Sequence, residues 1–145
     1  MIWYSDASFF VSAFGKDGNT PQAKTWLRAC KSFPIIVSRL SEFEMDTALR
    51  AAVLGGRLSE ETSVEARQSF IRAKLEGYFE QREIKPHQWF PQAHRISANA
   101  QIESACRALD VLHVTAAVLL KADGFLSFDT NQSKLAEHEG LKVEP

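Results

Sequence analysis

The stretch from Ala108 to Leu120 constrains the chain more than any other. It is apolar on nearly every side, so it reads as a helix buried within a globular core. It is too short and too interrupted to span a bilayer. Yet Asp110 stands in its first turn and His113 one turn later. A buried carboxylate is costly unless something compensates its charge. The helix N-terminus compensates part of it, and a bound cation would compensate more. The question is then which other acids converge on Asp110, and the candidates are Asp6, Glu44 and Asp129.

The rest of the chain places those candidates. Ile2 to Tyr4, ending at Asp6, reads as a short buried strand, and Ala7 to Phe14 as a helix stopped by Gly15. Thr20 and Pro21 form an N-cap and N1 pair opening a helix to about Lys31, with Ala23, Trp26, Leu27 and Cys30 on one face. Ile35 to Val37 is a second strand. Ser38 or Ser41 caps the next helix, which runs to Leu54 before Gly55 and Gly56. At the helical repeat, Leu40, Glu44, Thr47, Ala48 and Ala51 share one face and Glu42 and Asp46 the opposite one, so Glu44 points inward.

A further helix is expected from Ser59 to about Phe79, with Val64, Phe70, Ile71, Leu75, Tyr78 and Phe79 on its apolar side. A connection with a short strand at Glu83 to Lys85 follows, then a helix from about Phe90 to Ala105 and the Asp110 helix. Phe125 to Phe128 is a strand ending at Asp129, Thr130 to Glu139 a last helix, and Leu141 to Val143 a final strand. Alternating strands and helices predict one domain over 1–145, an α/β/α three-layer sandwich with a mainly parallel sheet. In such folds ligands sit outside the carboxyl ends of the strands, and this topology sets Asp6, Glu44, Asp110 and Asp129 on one rim.

Composition narrows the chemistry. With 17 Lys and Arg against 18 Asp and Glu, the net charge of −1 argues against a binder that grips nucleic acid by charge alone. The two cysteines, Cys30 and Cys106, make neither a disulfide framework nor a zinc ligand set, and read as thiols in a reducing compartment. The N-terminus lacks a basic segment and Asp6 interrupts its apolar run, so no signal peptide is expected and the cytoplasm is the expected location. Two carboxylates about 5 Å apart repel by roughly 3 kcal/mol at an effective dielectric near 20, so a cluster of such acids calls for cations. Oxygen ligands without clustered thiols suit Mg²⁺ or Mn²⁺ rather than Zn²⁺.

Each acid also has a structural reading. Asp129 before Thr130 is a helix N-cap, Asp6 a turn residue after a strand, and Glu44 a partner for an arginine such as Arg39. His113 is a hydrogen-bonded core histidine or a partner orienting Asp110. His87, His94 and His138 are scattered and carry no role, Trp3, Trp26 and Trp89 read as packing residues, and Arg107 as surface charge or an RNA-phosphate contact.

Four segments together resemble the PIN-domain ribonucleases, specifically the VapC-type toxins of bacterial toxin–antitoxin pairs. They are Tyr4 to Ser8, Ser38 to Leu49, Arg107 to His113 and Phe125 to Gln132. The resemblance covers essentially the whole chain. It implies a PIN-like α/β/α fold in which Asp6, Glu44, Asp110 and Asp129 bind Mg²⁺ or Mn²⁺ and catalyse RNA cleavage by metal-activated water. It further implies Ser8 in a supporting role, an antitoxin partner and a homodimer. Ala7 departs from the pattern, where many relatives carry a small hydroxyl residue. Apolar residues of the early helices, Phe9, Phe10, Trp26 and Phe43, are candidates for a surface that the partners cover. Two rival functions remain: a non-catalytic module in which the acids are structural, and a metal-dependent phosphohydrolase. Against the latter, the haloacid-dehalogenase pattern needs a second aspartate where this chain has Ser8.

Overall fold

The computed structural model describes residues 1–100 and 106–145. The elements run β1 (Trp3–Ser5), α1 (Ala7–Phe14), α2 (Thr20–Ala29), β2 (Ile35–Val37), α3 (Arg39–Leu54), α4 (Glu60–Leu75), β3 (Phe79–Gln81), α5 (Pro86–Ala100), α6 (Ala108–Leu119), β4 (Gly124–Leu126), α7 (Thr130–His138) and β5 (Lys142–Glu144). The five strands form one parallel sheet in the order β3-β2-β1-β4-β5. The expected three-layer sandwich is present, and its sheet is parallel throughout.

β1 lies at the centre because it is apolar on both sides. Tyr4 pairs with Ile36 on one flank and Phe125 on the other, and all three turn to the face covered by α5, α6 and α7, among Ile96, Val111, Val114 and Leu135. Trp3, Ile35, Val37 and Leu126 turn to the opposite face, among Phe9, Phe10, Met45, Leu49 and Phe70. Strands buried on both faces read as unbroken apolar runs, as these do. Gly124 pairs with Trp3, and a Cβ there would lie 2.3 Å from the indole ring, so only glycine lets the ring lie over β4.

The order in which strands are added reverses at β1. From there the chain moves outward through β2 to β3, then returns through α5 and α6 to lay β4 on the other side. The crevice beyond the carboxyl ends of β1 and β4 is the position where open α/β sheets bind ligands.

Several sequence expectations are corrected. The α4 helix stops at Leu75, and Gly77 at φ +83 turns the chain into β3 at Phe79–Gln81, not at Glu83 to Lys85. Phe79 is drawn there by an aromatic cluster, 5.4 Å from Phe10 and 5.7 Å from Phe70 between ring centroids. The face α4 buries is Ser63, Ala66 and Phe70, leaving Val64, Ile71, Leu75 and Tyr78 exposed, because small residues allow close approach to its neighbours. On α3 the buried stripe is Ser41, Met45 and Leu49, with Glu44 and Ala48 on its flank and Thr47 and Ala51 in solvent. Glu42 and Asp46, both partly exposed, pair with Lys74 and Arg67 of α4.

Asn19, not Thr20, precedes α2, and α5 begins at Pro86 and holds Pro91 within it. The expected continuation of that helix from Gln101 to Ala105 lies outside the described residues. Phe9 and Phe10 are wholly buried, so of the proposed surface aromatics only Phe43, 68% exposed, is substantially open to solvent, while Trp26 is half-buried. Among the described residues no helix is long and apolar enough to cross a membrane.

Candidate metal centre

Asp6 follows β1 directly, and its N–H continues the ladder to the Leu126 carbonyl at 3.1 Å. Its carboxylate caps α1 by accepting from the Phe9 N–H at 3.0 Å. Ser8 Oγ donates to it at 2.8 Å and Ser127 Oγ at 2.7 Å. The side chain is wholly buried, and that burial pushes its pKa above the ordinary aspartate value; the nearby His113 ring and the hydrogen bonds work the other way. Ser8 and Ser127 also join the two strand ends, since Ser8 Oγ accepts from the Phe128 N–H and Ser127 Oγ from the Asp129 N–H, both at 2.9 Å.

Glu44 projects from the second turn of α3, half-buried, and its Oε2 is hydrogen-bonded by His113 Nε2. That bond holds the Glu44 pKa below the usual glutamate value, against the opposing effect of partial burial. His113 therefore partners Glu44, and neither Arg39 nor Asp110 takes the role the sequence had left open for it.

Asp110 occupies the first turn of α6, where Oδ2 accepts from the Arg107 N–H at 2.7 Å. Asp129 caps α7, with Oδ1 accepting from the N–H groups of Asn131 at 2.8 Å and Gln132 at 2.9 Å. Both acids thus answer unpaired amides at helix starts. Gln132 links them, because its Nε2 donates to Asp110 Oδ1 at 3.3 Å while its own N–H meets Asp129. The other end of that amide, Oε1, is buried and has no hydrogen-bond partner.

Glu44, Asp110 and Asp129 line one cavity of about 440 Å³, together with Ser8, Arg107 and Gln132. Asp6 does not line it and lies beneath, joined to it through Ser8. Among the described residues no three His, Cys, Asp or Glu side chains stand close enough to share a metal ion. The reason is local: each carboxylate is engaged by its own helix start or by His113, so the acids ring the cavity without closing on its centre.

The chemistry of these donors, as distinct from their spacing, suits a hard divalent cation. The acids on the wall are all oxygen donors, and Gln132 adds a buried carbonyl oxygen whose hydrogen-bonding capacity is unmet.

Three cavity residues escaped the sequence reading as members of this site. Gln132 sits one turn beyond the Asp129 cap, and that spacing is a usable signal. Arg107 faces the cavity from just before α6, which settles its place although not its role. Asp17 lies on the far wall, held by Ser12 Oγ at 2.8 Å, and its polar loop resembles any other turn.

No family model matches the chain, and no curated protein matches it either. Solved structures do. VapC20 of Mycobacterium tuberculosis, described as a toxin cleaving the sarcin–ricin loop, superposes with a TM-score of 0.70 at 17% identity over 99% of both chains. VapBC2 of Rickettsia felis, solved bound to a DNA fragment from its promoter, gives 0.65 at 13% identity over 99% of this chain and 98% of that one. FitAcB of Neisseria gonorrhoeae gives 0.64 at 12% identity over 99% and 97%. At such identities the likeness is one of architecture: the chain has the PIN-like α/β/α fold found in VapC-type toxins.

Proposed function

We propose that the chain is a metal-dependent endoribonuclease, the toxin of a toxin–antitoxin pair, acting in the cytoplasm as a homodimer. The observation that carries the reading is the placement of Glu44, Asp110 and Asp129 around one cavity at the reversal point of the sheet, with Asp6 beneath them. These four residues would hold Mg²⁺ or Mn²⁺. When bound, such an ion would supply positive charge that polarises the scissile phosphate and lowers the pKa of water, so that hydroxide is available to attack it.

The chain's own residues do the rest. The starts of α6 and α7 aim their partial positive charge at the cavity, a favourable setting for a phosphate once the carboxylates are neutralised. Arg107 at the wall meets a neighbouring RNA phosphate. Gln132 keeps Asp110 and Asp129 in fixed relation. Attack by water forms one P–O bond as another breaks, and the chain is cut. Exposed Phe43, Ile71, Leu75 and Leu54 supply apolar surface on α3 and α4 suited to an antitoxin segment.

The rival reading, a binding module whose acids are structural, is supported by the local bonds each carboxylate makes. Incubation with total RNA and with intact ribosomes, in Mn²⁺, Mg²⁺ or chelator, separates the two. The expected outcome is discrete cleavage with metal, none with chelator, and loss of cleavage in Glu44→Gln. No cleavage under any metal favours the rival, and cleavage that persists in chelator overturns the metal dependence.

A further inference from the structure

Behind Glu44 lies a buried polar relay that the acids' own chemistry does not explain. Tyr4, Ser38, Ser41 and His113 are all within 1% of complete burial, yet each carries a polar group. Tyr4 Oη stands 2.9 Å from Ser38 Oγ, 2.9 Å from Ser41 Oγ and 3.1 Å from His113 Nδ1. The other ring nitrogen, Nε2, meets Glu44 Oε2. Four polar side chains in an apolar core cost stability unless all are satisfied, and Phe at position 4 would fill the same space against Phe125, whose ring stacks on Tyr4 at 5.7 Å.

The geometry points to a positioning role: Tyr4, through His113, fixes the orientation of the Glu44 carboxylate for metal binding, an inference that rests on the metal-site reading above. Hydrogen placement follows from the donors available. Ser41 Oγ donates to the Ser5 carbonyl at 3.0 Å and so can only accept from its other neighbours, Tyr4 Oη at 2.9 Å and Ser38 Oγ at 3.2 Å; in the proposed relay the Ser38 proton goes to the phenolic oxygen. Tyr4 then directs its single proton at Nδ1. With Nδ1 accepting, the ring proton is on Nε2 and faces Glu44. One oxygen of Glu44 is thereby tethered, and the carboxylate is held at the cavity wall rather than free to swing. The relay begins on β1 and α3 and passes through α6, so it couples the sheet centre to the metal site without using a cavity residue other than Glu44.

The test has two arms. In metal-free wild-type protein near neutral pH, ¹⁵N spectra of His113 should show Nε2 protonated and Nδ1 bare. A ring protonated at Nδ1, alone or with Nε2, overturns the proposal and needs no variant to fold. In the second arm, Mn²⁺ affinity is measured by calorimetry. Tyr4→Phe should weaken it by roughly tenfold, in line with the loss of partners that orient a ligand. The effect should vanish in a His113→Gln background, where the amide donates to Glu44 without needing Tyr4. Phe125→Leu, which disturbs the packing of Tyr4 but no hydrogen bond of the relay, should leave Mn²⁺ affinity unchanged. A Tyr4→Phe protein that binds Mn²⁺ as wild type does, or one whose loss persists undiminished in the His113→Gln background, sinks the positioning role and leaves the metal site standing. A wild type that binds no Mn²⁺ sinks the metal site and this role with it.

Discussion

Asp110→Asn separates the two jobs that this residue performs. In the metal-free protein Asp110 Oδ2 accepts from the Arg107 N–H at 2.7 Å, and an amide oxygen in that place keeps the bond. Loss of the charge removes its interaction with the start of α6, about 0.3–1 kcal/mol. The amide nitrogen would then face Gln132 Nε2, now 3.3 Å from Oδ1, and rotation of the Gln132 amide resolves that conflict. Rotation gains nothing overall, since it exchanges one unpartnered Gln132 atom for another. Relief of repulsion from Glu44 and Asp129 acts in the opposite direction to the lost helix term.

The net change without metal is therefore within about 1 kcal/mol, or roughly 2–4 °C in melting temperature for a domain near this size. Metal changes the comparison. At a free concentration of about 100 Kd the wild type gains ~2.7 kcal/mol, and a variant with tenfold weaker binding gains ~1.4 kcal/mol. The difference corresponds to about 3–5 °C less metal-induced rise in the variant. Thermal melting with chelator and across a Mn²⁺ titration, beside RNA cleavage, reads both quantities. An equal rise in both proteins with equal cleavage refutes Asp110 as a ligand. A variant that is unfolded without metal shows instead that the cap is the residue's main task.

Asp6→Asn tests burial. The folded chain holds the Asp6 proton more tightly than the unfolded chain does, so its contribution to stability is complete at acid pH and is lost as pH rises through the folded pKa. The metal-free variant should match wild type near pH 4 and be the more stable at about pH 8, as urea titrations would show; a stability gap of the opposite sign contradicts the assignment. Ser127→Ala removes a donor to Asp6 and an acceptor for the Asp129 N–H, and should cost about 1–3 kcal/mol in the same assay. Gly124→Ala drives a methyl to 2.3 Å from the Trp3 ring, and a loss below about 1 kcal/mol would mean that the ring has room to retreat.

The architecture was readable because its strands are short apolar runs ending in acids, and the order strand, helix, strand leaves few ways to build a parallel sheet. Asp6 and Asp129 needed only that rule. Glu44 needed helical phase, which turned it inward correctly although the buried stripe itself is Ser41, Met45 and Leu49. Phase failed on α4 because Val64, Ile71 and Leu75 face solvent while Ser63 and Ala66 are buried beside Phe70, a pattern that periodicity of hydrophobicity cannot reveal. The partner of His113 was equally hidden, since Glu44 lies 69 positions away in sequence and only the folded chain brings the two side chains together. The relay through Tyr4 was invisible for the same reason. A tyrosine in a buried strand looks like any other aromatic until the serines beside its hydroxyl are seen.

The central place of β1 has a consequence in time. Ser127 and Asp6, which meet through a hydrogen bond, are 121 positions apart in sequence. At a synthesis rate of ~5–20 residues per second, roughly 6–24 s pass between the two leaving the ribosome's catalytic centre. Until β4 is made, β1 has at most β2 on one flank and nothing on the other, and Asp6 lacks one of its donors. The cavity acquires Asp129 and Gln132 last of all. In a nascent chain of this topology the acid-lined cavity is therefore completed only when β4 closes against β1.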